Sequence, residues 1–301
     1  VDATFLQAII ENDYAVPEGH SVEELTPELT SLLGSPDSDL RENSVEVLWG
    51  WINGGHYSPD QLRDMGAQMA HNLTVGIGES GTDTVFLRTF SALILATVIF
   101  RDEECAAGIV EASPFLSEDE VRSWFEQGLI YLEKERDLRG YTEVKGWAHA
   151  IAHAADLFRD LAQSRYLGAL DLERVLNAIA DKIVEPADRV YLYQEDERLA
   201  YAVMTALSRD LLDMVFLKQW LDRIVTRSDQ KPWHQVFADP AENNARHNAR
   251  SFLRSLYFQL LIGVSYFRRL PLYESSPGVR EELLSEVATA LKKMDGGRFY
   301  G

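Results

Sequence analysis

The chain has 301 residues, with 48 acidic side chains against 29 basic ones, a net charge of −19, and a single cysteine. One Cys excludes an intramolecular disulfide framework and the thiolate-rich zinc modules. The acidic balance argues against nucleic-acid binding, because a phosphate backbone would be repelled. Hydrophobic residues at 46% and aromatics at 10% provide for a large core and argue against disorder.

Helical periodicity dominates and period-2 alternation is almost absent, so the expected class is all-α. The pattern predicts helices over 2–11, 21–33, 38–52, 59–73, 84–101, 103–111, 118–136, 143–164, 171–184, 196–209, 212–227, 243–269 and 277–294. Ser21 with Glu24, Ser58 with Gln61 and Ser117 with Glu120 have capping-box spacing. Pro59 suits a first helical position, where its missing N–H costs nothing, and Pro27 is read the same way. Turn chemistry stands between the helices at Asn53-Gly54-Gly55, Gly76-Ile77-Gly78, Ser113-Pro114, Glu185-Pro186, Lys231-Pro232, Asp239-Pro240 and Ser276-Pro277. The longest connection, Asp229 to Glu242, holds Trp233 and Phe237 and reads as an ordered excursion or a lid.

Helices joined by short loops pack as antiparallel hairpins. The expected architecture is therefore stacked helical hairpins, as a HEAT-like α-solenoid or a closed α/α ring. Ser35–Ile52 reads as one HEAT-type unit, with Val45, Leu48, Trp49 and Ile52 on one stripe. Phe86–Phe90 resembles Phe252–Leu256, a faint internal similarity. Length suggests about two domains, but no linker or low-complexity stretch separates them, so the reading is a single domain over 1–301.

The start of the chain lacks a basic region followed by a small-residue cleavage site, so the expected location is cytoplasmic. The apolar runs Thr89–Phe100 and Ser255–Phe267 fall short of the roughly 20 residues of a membrane helix. They read as buried helices, and no membrane partner is expected.

The most distinctive segment is Gly146–Phe158. On one helix, His149 and His153 would share a face, with Asp156 and Lys145 extending the row. Three arrangements are open. The two imidazoles could hold a divalent transition metal, with Asp156 or a residue from another helix completing the set. One His could act as a general base oriented by Asp156. Both could be neutral and hydrogen-bonded between helices. The zinc-protease motif is excluded, because Ala150 stands where its Glu belongs.

Arg88 and Arg254 lie inside apolar helices, where an unpaired guanidinium would cost several kcal/mol. Each must meet a carboxylate, water or a polar cavity. Arg246, Arg250 and Arg254 repeat every four residues, with Asn243 close to the same face. This row is either an ion-pair ladder, with Glu195, Asp196 and Glu197 as available acids, or an anion site. Gly76–Gly81 has GxGxxG spacing without a preceding strand, so it reads as a turn. Cys105 beside two acids reads as a packing residue. Asp137–Tyr141 is a polar turn that could supply a rim to the His segment.

The segments GWAHAIAHAADLF, FLRTFSALILA and NNARHNARSFLRSLYFQL together resemble the bacterial family DUF2785, over about 39–270. The resemblance implies an all-helical protein without an assigned activity, and it supplies no catalytic residues. The leading functional expectation is a binding protein for a small anionic ligand or a partner segment. Its concave face would be lined by Arg88, Lys145, Trp147, His149, His153, Asp156, Arg250 and Arg254. The alternative is a hydrolase or lyase using His149, His153 and Asp156, with or without a metal. No cofactor is required by either reading.

Overall fold

The computed structural model describes residues 1–227, 231–264 and 277–296. The turn residue Ser276, the end of the helix expected over 243–269 and part of the Asp229–Glu242 loop lie outside the described residues.

The protein is mostly helical, with 12 α-helices and one two-stranded sheet among the described residues. The helices are α1 (Ala3–Glu11), α2 (Val22–Leu32), α3 (Ser38–Asn53), α4 (Pro59–Asn72), α5 (Thr84–Ala106) and α6 (Glu118–Lys134). A hairpin of β1 (Tyr141–Thr142) and β2 (Gly146–Trp147) precedes α7 (Ala150–Gln163). Then come α8 (Ala169–Val184), α9 (Glu195–Leu207), α10 (Met214–Thr226), a 3-10 turn (Trp233–Gln235), α11 (Pro240–Ile262) and α12 (Pro277–Asp295).

Local chemistry explains the starts. At Ser58 and Ser117 the hydroxyl accepts from the N–H three residues on, and Gln61 or Glu120 accepts from the Ser N–H in return. Ser21 Oγ accepts from the Glu24 N–H and starts α2 at Val22. Pro27 therefore sits inside α2 rather than at its first position, and its missing N–H removes one helical rung. Two expected helices merge: α5 runs through 101–103 without a break. Asp102 stays helical there because its carboxylate has partners, accepting from the Leu116 N–H at 2.8 Å and from Arg165 at 2.7 Å.

The chain forms two compact units, Val1–Tyr166 and Leu167–Gly301. In the first, α1 packs on α3, α3 on α5 and α5 on α7, while α4 packs on α5 and α6, and α6 on α7. In the second, α8 packs on α9, α10 and α11, α9 on α11, and α12 on α10 and α11.

Helix α5 is the centre of the first unit. Val85, Phe86, Leu95, Val98 and Ile99 are all buried, on several faces, because α3, α4 and α7 surround it. By length and composition it is the one helix among the described residues apolar enough to cross a membrane, yet 67% of that apolar window is buried inside the protein, as in a core helix. In α3 the core residue is Trp51, fully buried with its indole N–H donating to Tyr14 O at 2.8 Å. Trp49, expected on the buried stripe, is exposed, because the stripe runs through Ser44, Val47, Leu48 and Trp51.

Candidate functional site

The segment expected as one helix over 143–164 divides. Residues 141–147 form the hairpin, with Tyr141 opposite Trp147 and Thr142 opposite Gly146. Helix α7 begins only at Ala150. His149 lies between them with a left-handed backbone (φ 56°, ψ 33°). A residue with a Cβ pays about 1–2 kcal/mol for that conformation. The register is held by Ala148 N–H to Gly140 O and His149 N–H to Arg139 O, both 2.9 Å.

Helix α3 holds the hairpin from below. Arg41 is fully buried and donates to Ser35 O and Lys145 O at 2.6 Å each, and to Trp147 O at 3.2 Å. Its guanidinium carbon stands 4.1 Å from the Phe86 ring centre and 4.8 Å from that of Phe90. Burial pulls the Arg41 pKa down, and the charges of Glu42, Asp37 and Asp83 oppose it. Burial also lifts the Glu42 carboxyl above its usual range, against Arg41 and a hydrogen bond from the Trp147 backbone. Gly146 has φ +69°, and a Cβ there would meet Ser38 Cβ at 2.8 Å, so only glycine lets the hairpin approach α3 so closely.

This backbone brings the rings together. His149 stacks on Trp147 with centroids 4.6 Å apart and planes 20° apart. Tyr141 meets Trp147 edge-on at 5.0 Å. The His149 and His153 rings are 5.4 Å apart, and Phe90 meets His153 edge-on at 5.1 Å. His153 Nδ1 lies 2.9 Å from Thr89 Oγ1. Tyr131, fully buried, hydrogen-bonds Thr89 and reaches Ala150 O at 3.4 Å; burial raises its hydroxyl pKa well above the ordinary value. His149 and His153 keep 7% and 5% of their surface, so the imidazoles are nearly enclosed but not sealed.

Lys145 does not extend a helical row with the imidazoles, whereas Asp156 follows His153 by three residues on α7. Lys145 sits in the hairpin turn, with Nζ 2.7 Å from both oxygens of Asp83. Asp156 is on α7 and accepts from Arg159 at 3.2 Å, while Arg159 also binds Asp160 at 2.7 Å. Among the described residues, no three His, Cys, Asp or Glu side chains come together in a way that could hold a metal ion. His149, His153 and Asp156 therefore do not make such a group.

Arg88 meets a carboxylate. It is fully buried, with Nε 2.8 Å and Nη2 3.0 Å from the two oxygens of Glu135. Its Nη1 donates to Val75 O, Gly76 O and Thr84 Oγ1 at 2.9–3.0 Å. Every guanidinium nitrogen is engaged within the protein, which corrects the expectation that Arg88 lines a ligand face. Burial opposes its charge, but the Glu135 hydrogen bond and charge outweigh this and hold its pKa above the ordinary value. The rim expected from Asp137–Tyr141 is tied down nearby: Asp137 accepts from the Gly81 N–H at 2.9 Å, and Arg139 pairs with Asp137 at 2.7 Å.

Arg250 and Arg254 lie on α11 of the second unit. Arg246 and Arg250 share Asp295 Oδ1, at 3.2 and 3.5 Å. The acid shared by Arg246 and Arg250 is Asp295 of α12. Of the α9 acids, Asp196 accepts from Ser255 Oγ at 2.9 Å and Glu195 from the Tyr193 N–H at 2.7 Å. Sequence reasoning missed Arg41, Thr89, Glu135, His247 and Asp295 as members of these clusters. Arg41 and Thr89 are far from the His segment in sequence, and none of the first three carries a motif. His247, between Arg246 and Arg250, could have been found from helical spacing alone.

The sequence model of the family described as "Protein of unknown function (DUF2785)" matches residues 73–258, and the chain belongs to that family. No curated protein and no protein of solved structure matches the chain.

Proposed function

We propose that this member of the DUF2785 family is a binding protein, whose site in the first unit is the Trp147–His149–His153 cluster. The ligand is a small anion or an acidic partner segment, met by two imidazoles and an indole face. The observation that carries the reading is the backbone of His149. A left-handed residue at a helix start is ordinarily Gly or Asn, and a strained His there needs a reason. The reason we infer is ring placement: the strain stacks one imidazole on Trp147 and sets the second 5.4 Å away. Neither Arg88 nor Lys145 supplies the charge, since each already has a carboxylate partner.

Within each unit, consecutive helices pack on one another (α2 on α3, α4 on α5, α6 on α7, α8 on α9, α11 on α12) and also on the next helix but one (α3 on α5, α5 on α7, α9 on α11), which supports stacked hairpins of the HEAT type. The catalytic alternative, a His-dependent hydrolase or lyase, draws support from one contact. Thr89 Oγ1 fixes the His153 ring at 2.9 Å, as a general base requires.

The test is an NMR titration with succinate, a dicarboxylate able to face both imidazoles. Saturable shifts confined to the Trp147 indole and the two His rings, at affinities on the order of 1 mM, are expected. They should vanish in His149→Ala. His149→Gly should be more stable than His149→Ala by about 1 kcal/mol, since glycine accepts positive φ without strain. Succinate shifts absent from all three rings would sink the reading.

A further inference from the structure

A second cluster stands in the second unit, independent of the His149 site. On α11, Arg246, His247, Arg250 and Arg254 fall along one side, because His247 is three residues before Arg250 and seven before Arg254. Asp295 and Asp196, from neighbouring helices, face this row. Asp295 on α12 is 3% exposed and gives a single oxygen to both Arg246 and Arg250. Asp196 on α9 acts on His247 and holds the Ser255 hydroxyl.

Asp295 does not saturate Arg250. The contact is long, at 3.5 Å, and the buried Arg250 Nε has no hydrogen-bond partner. The Arg250 side chain keeps 18% of its surface, and His247 and Arg254 are part-exposed. Burial lowers the His247 pKa, Arg250 and Arg254 lower it further, and Asp196 opposes them without cancelling. The field at His247 is therefore positive, in a chain whose net charge is −19.

We propose that His247, Arg250 and Arg254 form an oxyanion site that takes a phosphate dianion, free or as a phosphate monoester. Guanidiniums offer planar paired donors to phosphate oxygens. A bound dianion reverses the field at His247, so the imidazole takes up a proton and becomes a third cationic donor. That coupling favours a dianion over a monocarboxylate.

The experiment follows the His247 ring signal by NMR against pH, assigned with His247→Gln. The additions are inorganic phosphate, glycerol 3-phosphate, or sodium chloride at equal ionic strength, which separates binding from screening. Phosphate should raise the His247 midpoint by about one unit at concentrations on the order of 10 mM. A response to glycerol 3-phosphate at lower concentration identifies a monoester ligand; an equal or weaker one identifies free phosphate. Arg254→Gln, which leaves the Asp295 contacts intact, should raise the midpoint without phosphate and abolish the phosphate response. Arg250→Gln should do the same if it folds. A chloride response equal to that of phosphate overturns the site, as does a phosphate response that survives Arg254→Gln.

Discussion

Replacing Arg88 by Met removes the cation at the centre of the first unit while keeping most of the side-chain volume. Arg88 and Glu135 are 0% and 1% exposed, so neither charge has water to fall back on. The variant strands the Glu135 carboxylate, although the N–H groups of Arg136 and Asp137 still donate to it at 2.9 Å. It also strips the shared donor from Val75 O and Gly76 O. Breaking a buried pair from one side costs about 3–5 kcal/mol. For a unit of this size that corresponds to a melting point lower by roughly 6–20 °C. Calorimetry should be paired with hydrogen exchange of the α5 amides, which report on the first unit alone. The double variant Arg88→Met/Glu135→Met should lose less than the two single variants summed, by at least ~2 kcal/mol, because no lone charge is left. It should still fall short of the parent, since four backbone groups lose a charged partner. A single-variant loss under about 1 kcal/mol, or additive losses, would refute the buried-pair reasoning.

Two helical glycines should respond oppositely to alanine. In Gly66→Ala the new methyl would overlap the Trp124 ring, so the packing of α4 on α6 should lose roughly 1–3 kcal/mol by urea denaturation. In Gly128→Ala the nearest atom is Leu157 Cδ2 at 3.5 Å, an ordinary contact, so the variant should gain about 0.5–1 kcal/mol. Burial lifts the Glu195 carboxyl above its usual range, against hydrogen bonds from Tyr193 and its own backbone. An acid whose folded pKa is raised binds its proton more tightly when folded, so its ionisation costs stability at neutral pH, and the cost disappears below the unfolded value near ~4.3. Glu195→Gln should therefore be more stable than the parent at neutral pH, and the gap should close as pH falls; a gap that widens toward acid would contradict the assignment.

The clusters illustrate how far the residues could be read in advance. His149 and His153 were legible as neighbours, and they are neighbours, although His149 is the cap of the helix and not a residue within it. His149 is the residue just before α7, one turn ahead of His153, whose N–H donates to its carbonyl at 3.0 Å, and its left-handed backbone sets the two rings edge-on at 5.4 Å. Lys145 looked like part of the same row and is not, because the helix that would have carried it never forms. The demand that Arg88 find a carboxylate was legible from its apolar surroundings, but the identity of that carboxylate was not. Glu135 is 47 residues away and ends a different helix.

Local sequence alone determined that the chain is helical, where most helices start, and which guanidiniums needed partners. Those follow from hydrogen bonds and apolar spacing within a few residues, and the capping serines behave as their neighbours dictate. Only the tertiary structure decided that residues 141–149 leave the helix. Arg41 reaches Lys145 O across 104 residues, and Gly146 lies against Ser38, contacts that outweigh the modest helical preference of Gly-Trp-Ala-His. The ladder on α11 closed on Asp295 for the same reason. Which acid meets which base is set by the packing of whole helices, and pair spacing along one helix carries no record of it.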